Sequence, residues 1–529
     1  MTDQHLWWRA LASRDLRPAI SSAAQQVFGL DLRSLALMRI GLASVLFADL
    51  LQRSGTLTAH YTDEGVLPRA LMQATGMTQI GLYQLVGSAT GVVVLGTISL
   101  LSAVALAFGL QTRIATIASW VLLVSLQNRN PFVYHSGDEL LRLLLFWGMF
   151  LPLGSRWSID ARQRSELPSA GPTVLSVGSI GLFLQLFYIF LFLFDHKLMG
   201  TAWRNGTAVY DALSVEQYTT ALGSTLLRFP SALRFLTYAV LIQQGITFVL
   251  LASPILVGPL RLLAILGVIA TQIGFGLCFK LGTFPWVMSF AMLAMLPAWF
   301  WERVPSTTRG KASVRDKLAE LISLTSPNQP SRLARVNKAA VVLFGILCII
   351  SMTLWNLSEA GARFNVGGAE VVFEESLLGR FTRALRLDQR WSMFSPNPQT
   401  EDGWFIVEGT LTSGTRVDVY PALVGLIDVT AAPTIDPDIR WQKPGLISSQ
   451  FPSQRWLLYF LQLVGAPTDV QLRGYETYVC RSWNASQPPH RALRRFALDY
   501  LRFDHLPDGK TSPVQKIELT ARDCPGQAS

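Results

Sequence analysis

Lys197 stands where an amine could act as a base. The residues before it, Val174 to Phe194, carry no charged side chain over twenty-one positions. That is enough to cross a bilayer's hydrocarbon core, which takes a helix of about 20 apolar residues. At the mouth of such a helix an amine is partly withdrawn from water, and its neutral, basic form is favoured. Base chemistry at a membrane surface points to a lipid-soluble partner. Position alone also fits a lysine that lifts its ammonium into the headgroups and does no chemistry. A second group follows the loop Asn128-Arg-Asn-Pro-Phe-Val-Tyr-His-Ser-Gly-Asp138. Asp138 and Arg142 are four apart, share one helix face and are expected to pair. They read either as a structural ion pair near the membrane surface or as the lining of a polar pocket. His135 reads equally as an interfacial loop residue or a catalytic one. Arg39 and Asp49, ten apart, are expected to bind neighbouring helices rather than each other.

The elements that must position these residues are membrane helices. Half of the chain is apolar, 15% is charged, and the mean hydropathy is +0.33; soluble domains carry about 25% charge. The net charge of +10 is scattered through loops, without the basic stripe interleaved with aromatics that nucleic acid requires, so nucleic-acid binding is excluded. The six histidines are dispersed, and no Cys or His pair has metal-ligand spacing, so no metal is expected. Nine spans are predicted: Leu35–Leu51, Gly91–Gly109, Ile114–Leu126, Leu140–Leu153, Val174–Phe194, Phe235–Leu251, Leu262–Phe279, Thr283–Trp301 and Ala339–Leu354. The fold class is therefore mainly α, a polytopic transmembrane bundle of about nine spans followed by a β-rich extracytoplasmic domain.

Lys and Arg concentrate in cytoplasmic loops. Arg9, Arg14, Arg17 and Arg33 precede the first span, and Arg156, Arg162 and Arg164 follow the fourth. Glu302 to Lys338 holds eight Lys or Arg against three acids. These segments fall on one side of a nine-span chain. Residues 1–34 are thus expected as a cytoplasmic segment, 35–301 as the membrane domain, 302–338 as a basic cytoplasmic linker and 339–354 as the last span. Residues 357–529 are then extracytoplasmic. Lys197, Arg204, Arg228 and Arg234 would lie outside, against the trend. The amino terminus lacks a basic region before a short apolar core, so no cleaved signal is expected and insertion relies on the first span. If the chain is bacterial, its membrane is the inner one. Pro305 to Pro330, rich in Ser, Thr and Pro, reads as a mobile connection. In the tail, Trp404 to Tyr420 alternates as strands do, with Thr412-Ser-Gly414 as a hairpin turn. Cys480 and Cys524 share the outer domain, where an oxidising compartment permits a disulfide, although their separation is not readable. Cys278 and Cys348 read as packing residues within spans.

The motifs resemble a family. Lys197, Gly200, Trp203, Gly206-Thr-Ala208 and Tyr210-Asp-Ala-Leu213 are similar to the Lys-x-x-Gly-x-x-Trp-x-x-Gly-Thr-Ala-x-Tyr pattern of the HTTM membrane domain. Bacterial proteins and the vitamin K-dependent gamma-carboxylase share that domain. Gly137 to Trp147 with Leu151 to Asp160, and His60 to Arg69, match further motifs in the family's order. Arg390-Trp-Ser-Met-Phe-Ser-Pro396 and Asp402-Gly-Trp404 occur in bacterial members after the membrane part. The likeness runs from about residue 30 to 420. It implies that Lys197 deprotonates a reduced quinone, vitamin K or menaquinone hydroquinone. On the way to the epoxide, oxygen then yields a strongly basic alkoxide that removes a glutamate γ-proton, and the carbanion captures CO2. A dry site protects such a base. The enzyme's histidine before the matching span aligns near Gly137, with His135 two residues away as the candidate here. Asp138, Arg142 and Trp203 are candidates for substrate binding. The partners implied are the lipid bilayer and a secreted peptide substrate. Two other readings remain open: a non-catalytic scaffold or maturation factor for a secreted client, and a lipid or small-molecule transporter.

Overall fold

A computed structural model describes residues 17–74, 80–163, 172–304, 332–363, 373–428, 442–465, 467–506 and 509–525. Arg9, Arg14, Arg164 and the segment Pro305–Pro330 lie outside the described residues. Apolar runs dictate the principal elements: α1 (Leu32–Ser54), α2 (Ala89–Phe108), α3 (Thr112–Arg129), α4 (Ser136–Gly148), α5 (Val177–Met199), α6 (Pro230–Ala252), α7 (Val257–Cys278), α8 (Phe284–Leu293) and α9 (Arg332–Arg363). Six helices among the described residues are long and apolar enough to cross a membrane: α1, α2, α5, α6, α7 and the Asn337–Glu359 part of α9. The lone faces of α2, α6 and α7 leave Val93, Leu101, Phe108, Ile242, Val249, Leu263 and Leu266 exposed. Such a belt of apolar side chains suits a lipid environment rather than water.

The other three of the nine expected spans take different forms. Ile114–Leu126 lies in α3, which runs on to the buried polar residues Gln127, Asn128 and Arg129. Leu140–Leu153 is represented by α4, only 13 residues long and buried from Gly137 to Gly148; it is enclosed by protein, so the bilayer does not set its length. Thr283–Trp301 divides into α8 and a short helix, Ala298–Arg303, that begins after Pro297. Proline lacks the N–H a continuing helix needs.

The two ends of the bundle are tied differently. At one end Arg39 donates to the carbonyls of Leu153 (3.2 Å) and Trp157 (2.5 Å). Asp160 accepts from the backbone N–H groups of Gln111 and Thr112, and Ser34 donates to Leu296 O (2.6 Å). The tail covers the other end. Strands β1 (Glu401–Leu411), β2 (Arg416–Asp418), β3 (Leu493–Asp504) and β4 (Gln515–Asp523) form an antiparallel sheet in the order β2-β1-β3-β4. The turn expected at Thr412-Ser-Gly414 joins β1 to β2; Gly414 has φ +86°, a conformation that favours glycine. The tail is less β-rich than its alternating segments suggest. Helices α10 (Gln454–Gly465) and α11 (Asp469–Asn484) also belong to it; Phe460 packs on Phe405 of β1, and Tyr475 on Phe460. Cys480 of α11 is disulfide-bonded to Cys524. One continuous cluster of buried apolar residues runs from α1 through α4 and α5 into the sheet and α10.

Candidate functional site

Ser176 caps the start of α5, its hydroxyl accepting from Ser179 N (3.2 Å), and the apolar run carries the helix to its last turn at Lys197. Gly200 ends it with a bend against the carbonyl of Pro396, where a Cβ would collide. The chain then forms two short helices, Thr201–Asn205 and Ala208–Ser214, around Gly206 at φ +78°. This folds Trp203 back toward Lys197. The Lys197 side chain is 2% exposed, its Nζ lies 4.9 Å from the centre of the Trp203 ring, and it donates to Met393 O (3.2 Å). Trp203 Nε1 donates to Phe394 O (2.8 Å). Two motifs 196 residues apart therefore meet at the lysine. No carboxylate pairs with Lys197 among the described residues.

Lys197 opens on a cavity of about 30 Å³, room for one or two waters. Its walls are apolar, including Leu193, Val209, Phe275, Phe279, Phe284 and Phe394. Besides Lys197 and the Trp203 indole, Gln244 of α6 and Gln272 of α7 bring the polar side chains to it. Among the described residues the lining contains no Asp, Glu or His.

The segment Arg386 to Pro396 holds this roof. Arg142 of α4 donates to Arg386 O (3.0 Å) and Asp388 O (2.6 Å) and pairs with the Asp388 carboxylate (3.1 Å). Glu139 accepts from Arg390 N (2.7 Å). Gln389 accepts from Gln185 of α5 (2.5 Å) and Trp391 (2.8 Å), and its carbonyl accepts from Trp355 of α9 (2.9 Å). Arg142 thus fastens the strap that carries Met393 and Phe394, and it does not pair with Asp138.

Asp138 belongs to a separate buried cluster. Arg53 of α1 pairs with Asp49 (2.7 Å) and Asp138 (2.5 Å) and donates to Tyr61 Oη (2.5 Å). Arg455 of α10 pairs with Asp49 (2.8 Å) and with Asp138. Two cations and two anions, each at most 4% exposed, balance one another. The pairing expected from the i, i+4 spacing gives way to these longer-range partners because both guanidinium groups reach Asp138 from other elements. Asp49 does find a neighbouring element in α10, but also pairs one turn along its own helix. His135 is the N-cap of α4, its Nδ1 accepting from Gly137 N (2.9 Å), with Nε2 3.9 Å from Asp138. Burial holds its pKa down to about 4, with Asp138 pulling it up. It does not line the lysine cavity; it stands behind the wall, next to Gly282, between the lining residues Leu281 and Phe284.

Sequence reasoning singled out neither Arg53 nor Arg455, nor Gln244 and Gln272. The glutamines did carry a signal, since a polar side chain inside a span usually faces an interior. Arg455 begins an amphipathic helix of the tail and carried none.

These features define a multi-pass helical membrane protein with a C-terminal sheet-and-helix region keyed to one end of the bundle and a buried lysine beneath it. The HTTM domain profile matches residues 29–300, just over half of the chain, and the chain belongs to the HTTM family. No curated protein and no solved structure matches it.

Proposed function

We propose that this HTTM protein is a membrane enzyme in which Lys197 is the base toward a reduced, lipid-soluble quinone. Oxygen and CO2 are co-substrates, and glutamate side chains of a secreted peptide are the acceptors. The observation that carries this reading is a buried lysine with no carboxylate partner among the described residues, opening on an apolar cavity where two family motifs meet. The quinol, when bound, supplies the hydroxyl proton and the oxidisable ring. Lys197 Nζ takes up that proton, and the Trp203 ring and Met393 carbonyl hold the amine in place. The apolar walls exclude water, which would quench a strong base. Aromatic faces and amides suit an oxygen-bearing ring; the cavity's small volume requires the walls to part as the ring enters. His135 acts from behind as a positioning residue on the Gly282 turn. Asp138 and Arg142 contribute to the site only through the elements they fasten.

The topology that fits this reading has nine alternating passes, α3, α4 and α8 with its short continuation included. The ends of α1 and α5 and the start of α4 then share the outer face with the tail, while Arg33, Arg156 and Arg162 face the cytoplasm. This places residues 357–529 outside, where a peptide reaches the site and the Cys480–Cys524 bridge is chemically at home. A second reading, a maturation factor whose outer region binds a secreted client, draws on the buried ion cluster that fixes the tail to the bundle.

The test is turnover of the full chain in nanodiscs with reduced menaquinone, oxygen, labelled bicarbonate and a short Glu-rich peptide. Epoxide and fixed label are expected, with both rates falling about 10²- to 10⁴-fold in Lys197→Ala, the usual range for a lost general base. Folded wild-type protein that forms neither product would sink the enzyme reading.

A further inference from the structure

Adjacent glutamines on α6 show what is unusual about the cavity. Gln243 is satisfied: its amide nitrogen donates to Thr247 Oγ1 (2.7 Å) and its oxygen accepts from Thr271 Oγ1 (3.2 Å). Gln244 is 3% exposed and Gln272 of α7 is 4% exposed, and the side-chain oxygen of each lacks a hydrogen-bond partner. Buried polar atoms are nearly always paired, and each exception calls for an explanation. Both residues line the Lys197 cavity. Three neighbouring helices, α5, α6 and α7, thus each send one polar side chain into an otherwise apolar space, and two of the three present an unused acceptor.

We propose that Gln244 and Gln272 are specificity-determining residues whose amide oxygens accept hydrogen bonds from the ring hydroxyls of a reduced quinol and so select it over the oxidised form. A hydroquinone carries O–H donors; the quinone carries only acceptors, which have nothing to give an amide oxygen. The surrounding Phe275, Phe279 and Phe394 rings, with Phe279 and Phe394 5.3 Å apart centre to centre, suit a flat apolar ring system. The absence of a carboxylate from the lining suits a ligand without positive charge. This inference rests on the reading of the lysine cavity as a quinol site, and it adds which groups read the redox state.

The experiment measures anaerobic binding of tritiated menaquinone-4, oxidised and reduced, to the full chain in nanodiscs. Wild-type protein is expected to hold the reduced form about tenfold more tightly, consistent with the loss of one or two hydrogen bonds. Gln244→Leu and Gln272→Leu should each weaken binding of the reduced form about 3-fold, and the double variant should erase the preference. Gln243→Leu, whose side chain is engaged elsewhere, should leave the preference intact. Where a leucine variant does not fold, Gln244→Met and Gln272→Met repeat the comparison with an unbranched side chain. Equal affinity of wild type for both redox forms, an unchanged preference in the double variant, or an equal loss in Gln243→Leu would overturn the proposal. Redox-selective binding lost with the glutamines but without product formation would sustain it while removing the enzyme reading. Turnover with no effect of the glutamines on binding would do the reverse.

Discussion

Of the places where the molecule buries basic side chains, two treat them in opposite ways. Arg53 and Arg455 are enclosed with Asp49 and Asp138, so that every charge meets its opposite at hydrogen-bonding distance. Lys197 is equally enclosed, yet its only described contacts are a carbonyl and an aromatic face. The first arrangement spans α1, α4 and the tail helix α10, and its geometry leaves no unused valence: it is a fastening. The second leaves an amine facing a cavity with two unpaired amide oxygens. Burial of a charged group is tolerated where partners compensate it, and burial without partners marks a place where a ligand or a proton is expected.

The strongest way to break the fastening is Arg455→Ala. Asp49 and Asp138 would then share Arg53 alone in a dry setting. Removing one member of a buried pair typically costs about 3–5 kcal/mol. Denaturant unfolding in nanodiscs, followed by the fluorescence of the tail tryptophans, should register a loss of that size. Limited proteolysis should cleave the tail earlier than in wild type. A loss under about 1 kcal/mol would show that the quartet is not what holds the tail.

Acid should act on the same region. His60 is fully buried, its ring 4.4 Å from Trp456, and neither ring nitrogen has a hydrogen-bond partner. Burial, reinforced by Arg455 and Arg53, lowers its pKa to about 3. The unfolded chain therefore takes up a proton near pH 6.5 that the folded chain refuses until about pH 3. Stability present above pH 6.5 is lost as the pH falls through this window, by up to about 1.4 kcal/mol per pH unit for each such histidine. His135, with its pKa down to about 4, adds to the slope in the same direction. His60→Phe should flatten the acid limb measured between pH 6.5 and 4 by one proton's worth, and an unchanged limb would remove His60 from the account.

Much of the helical frame was legible because a long uncharged run has few alternatives, as at Val174–Phe194 and in α6 and α7. The division after α8 was less so: Pro297 was visible, but hydropathy over Thr283–Trp301 conceals a break. α4 is shorter than its hydropathy suggests, since enclosure by protein and enclosure by lipid select the same residues. The site was half legible. Lys197, Trp203 and the Arg390–Pro396 motif were visible as motifs, whereas their meeting depends on a fold that joins positions 196 apart. Asp138 and Arg142 suggested each other through local spacing, but their partners Arg455 and Asp388 lie 317 and 246 residues away. Local periodicity carries no information about such pairs.

At the lysine, a milder change probes the roof. Trp203→Phe keeps the aromatic face and removes the N–H that donates to Phe394 O. One neutral hydrogen bond contributes about 1 kcal/mol, so a stability loss of that order is expected in thermal unfolding. The quinol-binding affinity should fall with it, because the freed Phe394 carbonyl loosens a cavity wall. Lost stability with unchanged affinity would place the indole in packing alone.

Lys197→Met separates the two regions by sign. It removes the ammonium and keeps an unbranched apolar side chain of similar length, so little void is left. Arg455→Ala strands two carboxylates; Lys197→Met strands none, because no described carboxylate pairs with the amine. The Met393 carbonyl loses a donor, a cost of about 1 kcal/mol. Against that, the fold no longer encloses an amine among apolar walls, which is unfavourable when it is uncompensated. The two effects oppose each other, and the unfolding free energy should stay within about 1 kcal/mol of wild type or rise. Under the proposed role of Lys197 as base, turnover should nevertheless fall about 10²- to 10⁴-fold, as in Lys197→Ala. A variant destabilised by as much as Arg455→Ala would show that Lys197 is a second fastening, and the distinction between the two regions would collapse.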